Sequence, residues 1–256
     1  MQCVSSGEFD VRRVERNEYL RAGRGGPPRI KFCGLTRPED AAEAARLGAA
    51  YVGAIFAESP RRVDVETARV LFDAAGEKVA HVAVFGRAGI GEISPIVDLL
   101  DPDVIQLTPD SRAADIATLR NTFRGEIWGV VGLERDADSL PPEAYEIARV
   151  ADAVLLDVTV GGRTGGSGIP LSWELLAAGV RPLRQRATLI LAGGLRPENV
   201  ARAIQALLPD VVDVSSGVES GPGVKDPALM SAFAQAVHSA SIDRGESASS
   251  SSFETE

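Results

Sequence analysis

The chain has 256 residues and a net charge of −9, with 45% hydrophobic, 25% charged and only 5% aromatic residues. That balance argues against a nucleic-acid binder, which needs a basic face, while leaving an anionic small ligand open, because a few local donors outweigh a distant field. It also supplies a sizeable core of Ala, Val, Leu and Ile, side chains that fit strands buried on both faces.

Residues 1–28 hold no apolar run bounded by a cleavage site and are rich in Arg and Gly, ending in Arg21-Ala22-Gly23-Arg24-Gly25-Gly26-Pro27-Pro28. They are expected to form a flexible extension, neither a secretory signal nor a membrane anchor. From residue 29 a short alternation begins. Strand-like apolar runs fall at 29–33, 50–56, 79–85, 104–107, 127–133, 153–157, 188–192 and 211–215. Each is followed by helical spacing of apolar residues, at 38–47, 65–75, 91–100, 113–122, 142–150, 171–178, 197–207 and 227–237. Thr36-Arg37-Pro38-Glu39 reads as a helix start, with a capping hydroxyl, a first-turn proline and an acid, and Leu195-Arg196-Pro197-Glu198-Asn199 is a similar one. Residues 239–256 are rich in Ser and Glu and are expected to be disordered.

Eight strand–helix units predict a single (β/α)8 TIM barrel over 29–238. A doubly wound open sheet usually has fewer strands, and no Gly-x-Gly-x-x-Gly turn follows the first strand. No run of about eighteen apolar residues exists, so no membrane-spanning helix is expected. Of the two cysteines, Cys3 lies in the loose N-terminus, so a pairing with Cys33 is not expected and a reducing cytoplasm is the default.

In such barrels the chemistry lies at the C-terminal ends of the strands. Three groups stand out there: a thiol, a carboxylate and two Gly/Ser loops. Gly193-Gly194 after strand seven and Ser215-Ser216-Gly217 after strand eight occupy the positions where barrels hold phosphate through backbone N–H groups. Read without that context, the glycines are ordinary turn residues. Cys33 ends strand one and Asp157 ends strand six, three strands apart round the ring, so they can face each other across the mouth as base and acid. A lone cysteine is more often a small buried hydrophobe, and an aspartate at a strand end is often a helix cap. Lys31, two residues before Cys33, shares its face and can raise the thiolate fraction. His81 falls near a strand start and His238 at the end of the last helix, away from this end. No His/Cys/Asp/Glu cluster has metal-ligand spacing, so no metal is indicated.

The local motifs carry a resemblance. Ile30-Lys31-Phe32-Cys33-Gly34-Leu35-Thr36, Ser59-Pro60-Arg61-Arg62-Val63, Leu155-Leu156-Asp157, Gly165-Gly166-Ser167-Gly168 followed by Trp173, Ala192-Gly193-Gly194-Leu195 and Val212-Asp213-Val214-Ser215-Ser216-Gly217-Val218-Glu219 occur in order. They resemble the motifs of the phosphoribosylanthranilate isomerase family of tryptophan biosynthesis, over residues from about 29 to 237. The resemblance implies an Amadori rearrangement of an aminoaldose phosphate, with Cys33 as general base and Asp157 as general acid. It implies that Arg61 contacts the anthranilate carboxylate, that Lys31, Gln106 and Asp213 also bind substrate, and that Gly193, Gly194, Ser215, Ser216 and Gly217 bind its phosphate. The reaction is an internal redox change and needs no cofactor. The expected partner is a small phosphorylated substrate, with neither nucleic acid nor membrane, for a monomer or homodimer.

Two stretches depart from the family pattern. Its Val-Gln-Leu-His-Gly after strand four is Ile105-Gln106-Leu107-Thr108-Pro109, without the His. Its Lys-Thr-Phe-Asp-Trp is Ile169-Pro170-Leu171-Ser172-Trp173, and the loop 158–164 before it also differs. These changes keep two other readings in view: the same chemistry on a related aminoaldose phosphate, and a non-catalytic phosphate-binding barrel.

Overall fold

The computed structural model describes residues 27–86, 89–108, 112–134, 137–157 and 173–250. Strands and helices alternate as β1 (Arg29–Cys33), α1 (Pro38–Arg46), β2 (Tyr51–Ile55), α2 (Val65–Ala75), β3 (Ala80–Phe85), α3 (Ile90–Leu100), β4 (Val104–Leu107) and α4 (Ala113–Leu119). The second half continues with β5 (Glu126–Gly132), α5 (Pro142–Ile147), β6 (Ala153–Asp157), α6 (Trp173–Arg184), β7 (Thr188–Ala192), α7 (Val200–Leu207) and β8 (Val211–Val214). The eight strands form one closed parallel barrel, shut by the β1–β8 pairing with Lys31 opposite Asp213.

Strand alternation sorts the apolar residues into two cores. One fills the barrel and includes Tyr51, Val82, Val104, Trp128, Ala153 and Ile190. The other, with Ile30, Phe32, Val154, Leu156, Val212 and Val214, lies between the barrel and its helices. The low aromatic content leaves few large rings for the lumen. Tyr51 and Trp128 meet edge to face at 4.8 Å, and Trp128 Nε1 donates to Glu126 Oε2 at 2.9 Å. The same alternation turns Lys31, Cys33, Gln106, Asp157 and Asp213 inward, each separated from the next inward residue of its strand by one that packs under a helix.

At the opposite end of the barrel, aspartates just before β4, β6 and β8 tie the start of the neighbouring strand. Asp103, Asp152 and Asp210 accept from the backbone N–H of His81, Ile127 and Leu189 at 2.9, 2.8 and 2.9 Å. These bonds close off backbone donors at the face where barrels carry stability rather than chemistry. His81 sits at that end, its ring stacked on Phe72 at 4.5 Å.

Several boundaries differ from the sequence expectation. Thr36 does not cap α1. Arg37 is the N-cap, with no side-chain cap bond, and the Thr36 hydroxyl donates to the Gly223 carbonyl. A helix begins after the residue that precedes Pro38, which is held extended. Likewise Pro197 lies in a turn, and α7 begins only after Asn199. A short hairpin, β9 (Glu219–Gly221) and β10 (Val224–Lys225), separates β8 from the last helix, α8 (Pro227–Ser250). The last helix runs past the expected end near residue 237 and through residues 239–250, where the Ser- and Glu-rich composition predicts disorder; no proline interrupts that stretch. The Gly165-Gly166-Ser167-Gly168 motif and residues 1–26 lie outside the described residues.

Candidate active site at the barrel mouth

A cavity of about 280 Å³ opens at the C-terminal ends of the strands. Val84, Val130 and Leu155 form its apolar floor. The polar wall brings together Cys33 from β1, Gln106 from β4, Asp157 from β6 and Asp213 from β8. Gly193 and Gly194 after β7, and Ser215, Ser216 and Gly217 after β8, form the rim on one side.

Those two loops are locked together by their glycines. Gly193 and Gly194 have φ of +85° and +65°, left-handed values that a side chain rarely adopts. Asn199 holds this turn, donating from Nδ2 to the Gly194 carbonyl at 2.9 Å and accepting from the Arg196 N–H at 2.8 Å. Gly217 lies so near the first loop that a Cβ on it would stand 1.8 Å from the Leu195 carbonyl oxygen. The two loops therefore meet as one surface, a form suited to an anion bound by backbone donors.

Lys31 shares the inward face of Cys33, as strand alternation predicts. It does not line the cavity but lies one layer below Cys33, at 0% exposure. Strand periodicity explains this, since two residues back along β1 is one layer deeper. Its Nζ donates to Asp213 Oδ2 at 2.7 Å. Burial disfavours the Lys31 ammonium, but Asp213 and the Cys33 thiol outweigh it and its pKa is raised. Asp213 is itself pushed up by burial, with Lys31 opposing and the Asp157 charge adding to the rise.

The same balance decides the thiol. Burial pushes the Cys33 pKa up, Lys31 pulls it down, and burial wins. Lys31 thus acts on the thiol in the expected sense but does not make Cys33 a low-pKa cysteine. A thiol in a dry cavity needs its cations to hold its anion.

Arg61 also stands off the cavity wall. Its Nε and Nη2 donate to Glu219 Oε1 and Oε2 at 2.8 and 2.7 Å, a two-pronged pair between the loops after β2 and β8. Arg61 and Lys225 hold the Glu219 carboxyl below its ordinary pKa against the cost of burial. Asp213 Oδ1 and Gln106 Oε1 are buried and find no hydrogen-bond partner among the described residues. Both residues face the cavity. Buried acceptors are normally satisfied, so these two point to donors on a ligand.

Glu219 and Lys225 received no role from the sequence. Glu219 stood only within a motif, and Lys225 in none. A signal was present: the chain has 24 arginines and only three lysines, Lys31, Lys78 and Lys225. Two of those three are among the largest fully buried side chains. Among the described residues no group of three His, Cys, Asp or Glu side chains is placed to hold a metal ion, and no helix is long and apolar enough to cross a membrane.

The sequence pattern of N-(5'phosphoribosyl)anthranilate (PRA) isomerase matches residues 30–236. The chain belongs to this family. PRA isomerases of Rhodopseudomonas palustris and Pseudomonas aeruginosa are 38% and 39% identical to it, over 81% and 82% of this chain and 94% and 95% of theirs. The crystal structure of the Thermotoga maritima PRA isomerase superposes with a TM-score of 0.71 at 30% identity, covering 83% of this chain and 99% of that one. Another PRA isomerase structure, with TM-score 0.68 at 29% identity and the same coverage, holds reduced 1-(o-carboxyphenylamino)-1-deoxyribulose 5-phosphate. As a family member the chain is an isomerase of the tryptophan-biosynthetic kind, and its barrel is the PRA isomerase barrel.

Proposed function

We propose that the chain converts N-(5-phosphoribosyl)anthranilate to 1-(2-carboxyphenylamino)-1-deoxyribulose 5-phosphate, with Asp157 as general acid and Cys33 as general base. The observation that carries this reading is that the thiol and the carboxylate, from strands on different sides of the barrel, open onto one cavity rimmed by the two Gly/Ser loops.

In this reading the Asp157 carboxyl gives its proton to the furanose ring oxygen. The C1–O bond breaks, and the anilino nitrogen lone pair forms a C1=N Schiff base. The Cys33 thiolate then removes the C2 proton. The C2–H electron pair becomes the C1=C2 double bond as the C=N pair returns to nitrogen, giving an enolamine. Loss of the enol proton and gain of one at C1 yields the C2 ketone. C2 is oxidised by two electrons and C1 is reduced by two, so no external redox cofactor is required. Asp213 Oδ1 and Gln106 Oε1 accept from the sugar hydroxyls. The phosphate lies on Gly193, Gly194, Ser215, Ser216 and Gly217, the position where barrels commonly hold one. Arg61, oriented by Glu219, meets the anthranilate carboxylate with the guanidinium edge outside that pair.

The cytoplasm is the compartment that suits a free thiol base. The test is fluorimetric: N-(5-phosphoribosyl)anthranilate, generated in the cuvette, loses its emission as it isomerises. Rapid decay with the full chain supports the reading. A folded chain that leaves the emission unchanged contradicts it.

One observation favours a second reading, the same chemistry on a related aminoaldose phosphate. Thr108 lines the cavity where the family pattern has a His. A shorter side chain there makes room for a different aromatic or aliphatic amine, and turnover compared across aminoaldose phosphates separates the two.

A further inference from the structure

Where the β1–β8 ladder ends, one side chain extends it. The register pairs Phe32 with Val214 and stops. The next residues in line are Cys33 and Ser215, whose chains part towards the cavity. The Lys225 ammonium stands between their carbonyls, donating to Cys33 O at 2.7 Å and to Ser215 O at 3.1 Å. It also donates to Glu219 Oε1 at 2.8 Å. An ammonium has three protons, and three close acceptors take them.

The lysine is fixed at both ends. Its backbone N–H donates to Asp40 Oδ2 at 3.1 Å, and its carbonyl accepts from Arg37 Nη2 at 3.0 Å. Arg37 is in turn held on Asp40 by two further bonds. The side chain is 0% exposed, and removing an ammonium from water is costly unless its partners are well placed. In a chain with eight times as many arginines as lysines, a lysine at this point is informative. A planar guanidinium cannot send three protons from one atom to three acceptors around it.

Those acceptors belong to separate parts of the site. Cys33 carries the base, Ser215 belongs to the phosphate rim, and Glu219 grips Arg61. We infer that Lys225 is a positioning residue, which fixes the base relative to the phosphate loop so that a bound phosphate and the Cys33 Sγ share one frame. The inference rests on the proposed roles of Cys33 and the phosphate loop. The charge of Lys225 also acts on the thiol, which is faced by Lys31, Asp213 and Arg61 as well.

The test compares Lys225→Met and Lys225→Arg in the full chain, reading kcat, KM, inhibition by inorganic phosphate and the pH profile of kcat/KM. Lys225→Met is expected to raise the phosphate inhibition constant at least tenfold, to lower kcat at least tenfold, and to move the thiol limb to higher pH. Lys225→Arg keeps the charge but not the geometry, so the limb stays in place while kcat and phosphate inhibition remain impaired. Unchanged phosphate inhibition and an unchanged limb in folded Lys225→Met, with activity loss matching only the unfolded fraction, would overturn the inference. If Lys225→Met does not fold, Lys225→Arg decides, and wild-type phosphate inhibition and kcat in that variant would overturn it. Turnover surviving in Cys33→Ala would remove the base assignment instead, and leaves the phosphate readout to judge Lys225 separately.

Discussion

Lys31 and Asp213 form an ion pair beneath the candidate active site, 2.7 Å apart and almost wholly out of water. They face each other in register across the seam that closes the barrel. Removing one partner strands the other charge. Lys31→Met is therefore expected to destabilise the fold by roughly 3–5 kcal/mol. The double variant with Asp213→Leu should recover part of that loss, because no lone charge remains. Urea unfolding of the single and double variants measures both, and a double variant that loses the full sum of the two singles would contradict the account.

Gly217 offers a test of the phosphate rim. Alanine there places a Cβ 1.8 Å from a backbone oxygen of the neighbouring loop, so the two loops must part. Inhibition by inorganic phosphate should weaken by tenfold or more, about 1.4 kcal/mol. Competition assays with wild-type and Gly217→Ala chains decide it, and equal inhibition constants would mean that the phosphate does not use this junction.

The pH dependence follows from the thiol. Burial raises the Cys33 pKa above its ordinary value, and the base works only as thiolate. The thiolate fraction then grows about tenfold for each pH unit below that pKa. The rate at which Cys33 is alkylated by a neutral reagent should thus rise through neutral pH and level off only above the ordinary thiol range, and Cys33→Ala should lose this reaction. A plateau already reached at pH 6 would contradict the raised pKa of the Cys33 thiol.

Arg61 and Glu219 separate binding from chemistry. Arg61→Ala removes a charge-assisted contact worth about 1.5–3 kcal/mol, so kcat/KM for the anthranilate substrate should fall roughly 10- to 100-fold, mainly through KM. Glu219→Gln leaves the cation but loses its fixed orientation, and should give a smaller rise in KM. Steady-state kinetics of the two variants order the effects, and an unaltered KM in Arg61→Ala would exclude it from the anthranilate end.

Much of this architecture was legible in the sequence because the barrel repeats one rule eight times. A buried parallel strand must be apolar on both faces, so Val104–Leu107 and Ala153–Asp157 stand out with their observed bounds. Strand ends then point to the mouth, which locates Cys33 and Asp157. What escaped depends on contacts between distant segments. The hairpin that presents Lys225 is too short to have a period. Thr36 reads as a cap locally, yet its hydroxyl is taken by Gly223, 187 residues on. The face and depth of Lys31 follow from the period of β1, but its pairing with Asp213 depends on the register with β8, which no local pattern encodes.

The most direct test of the central claim is single-turnover decay of N-(5-phosphoribosyl)anthranilate fluorescence in wild-type, Cys33→Ala and Asp157→Ala chains, with folding and phosphate binding checked in parallel. The account predicts decay in the wild type and a loss of at least about 10²-fold in each variant, the usual scale for a positioned acid or base, with phosphate still bound. Near wild-type decay in either folded variant would contradict the role given to that residue.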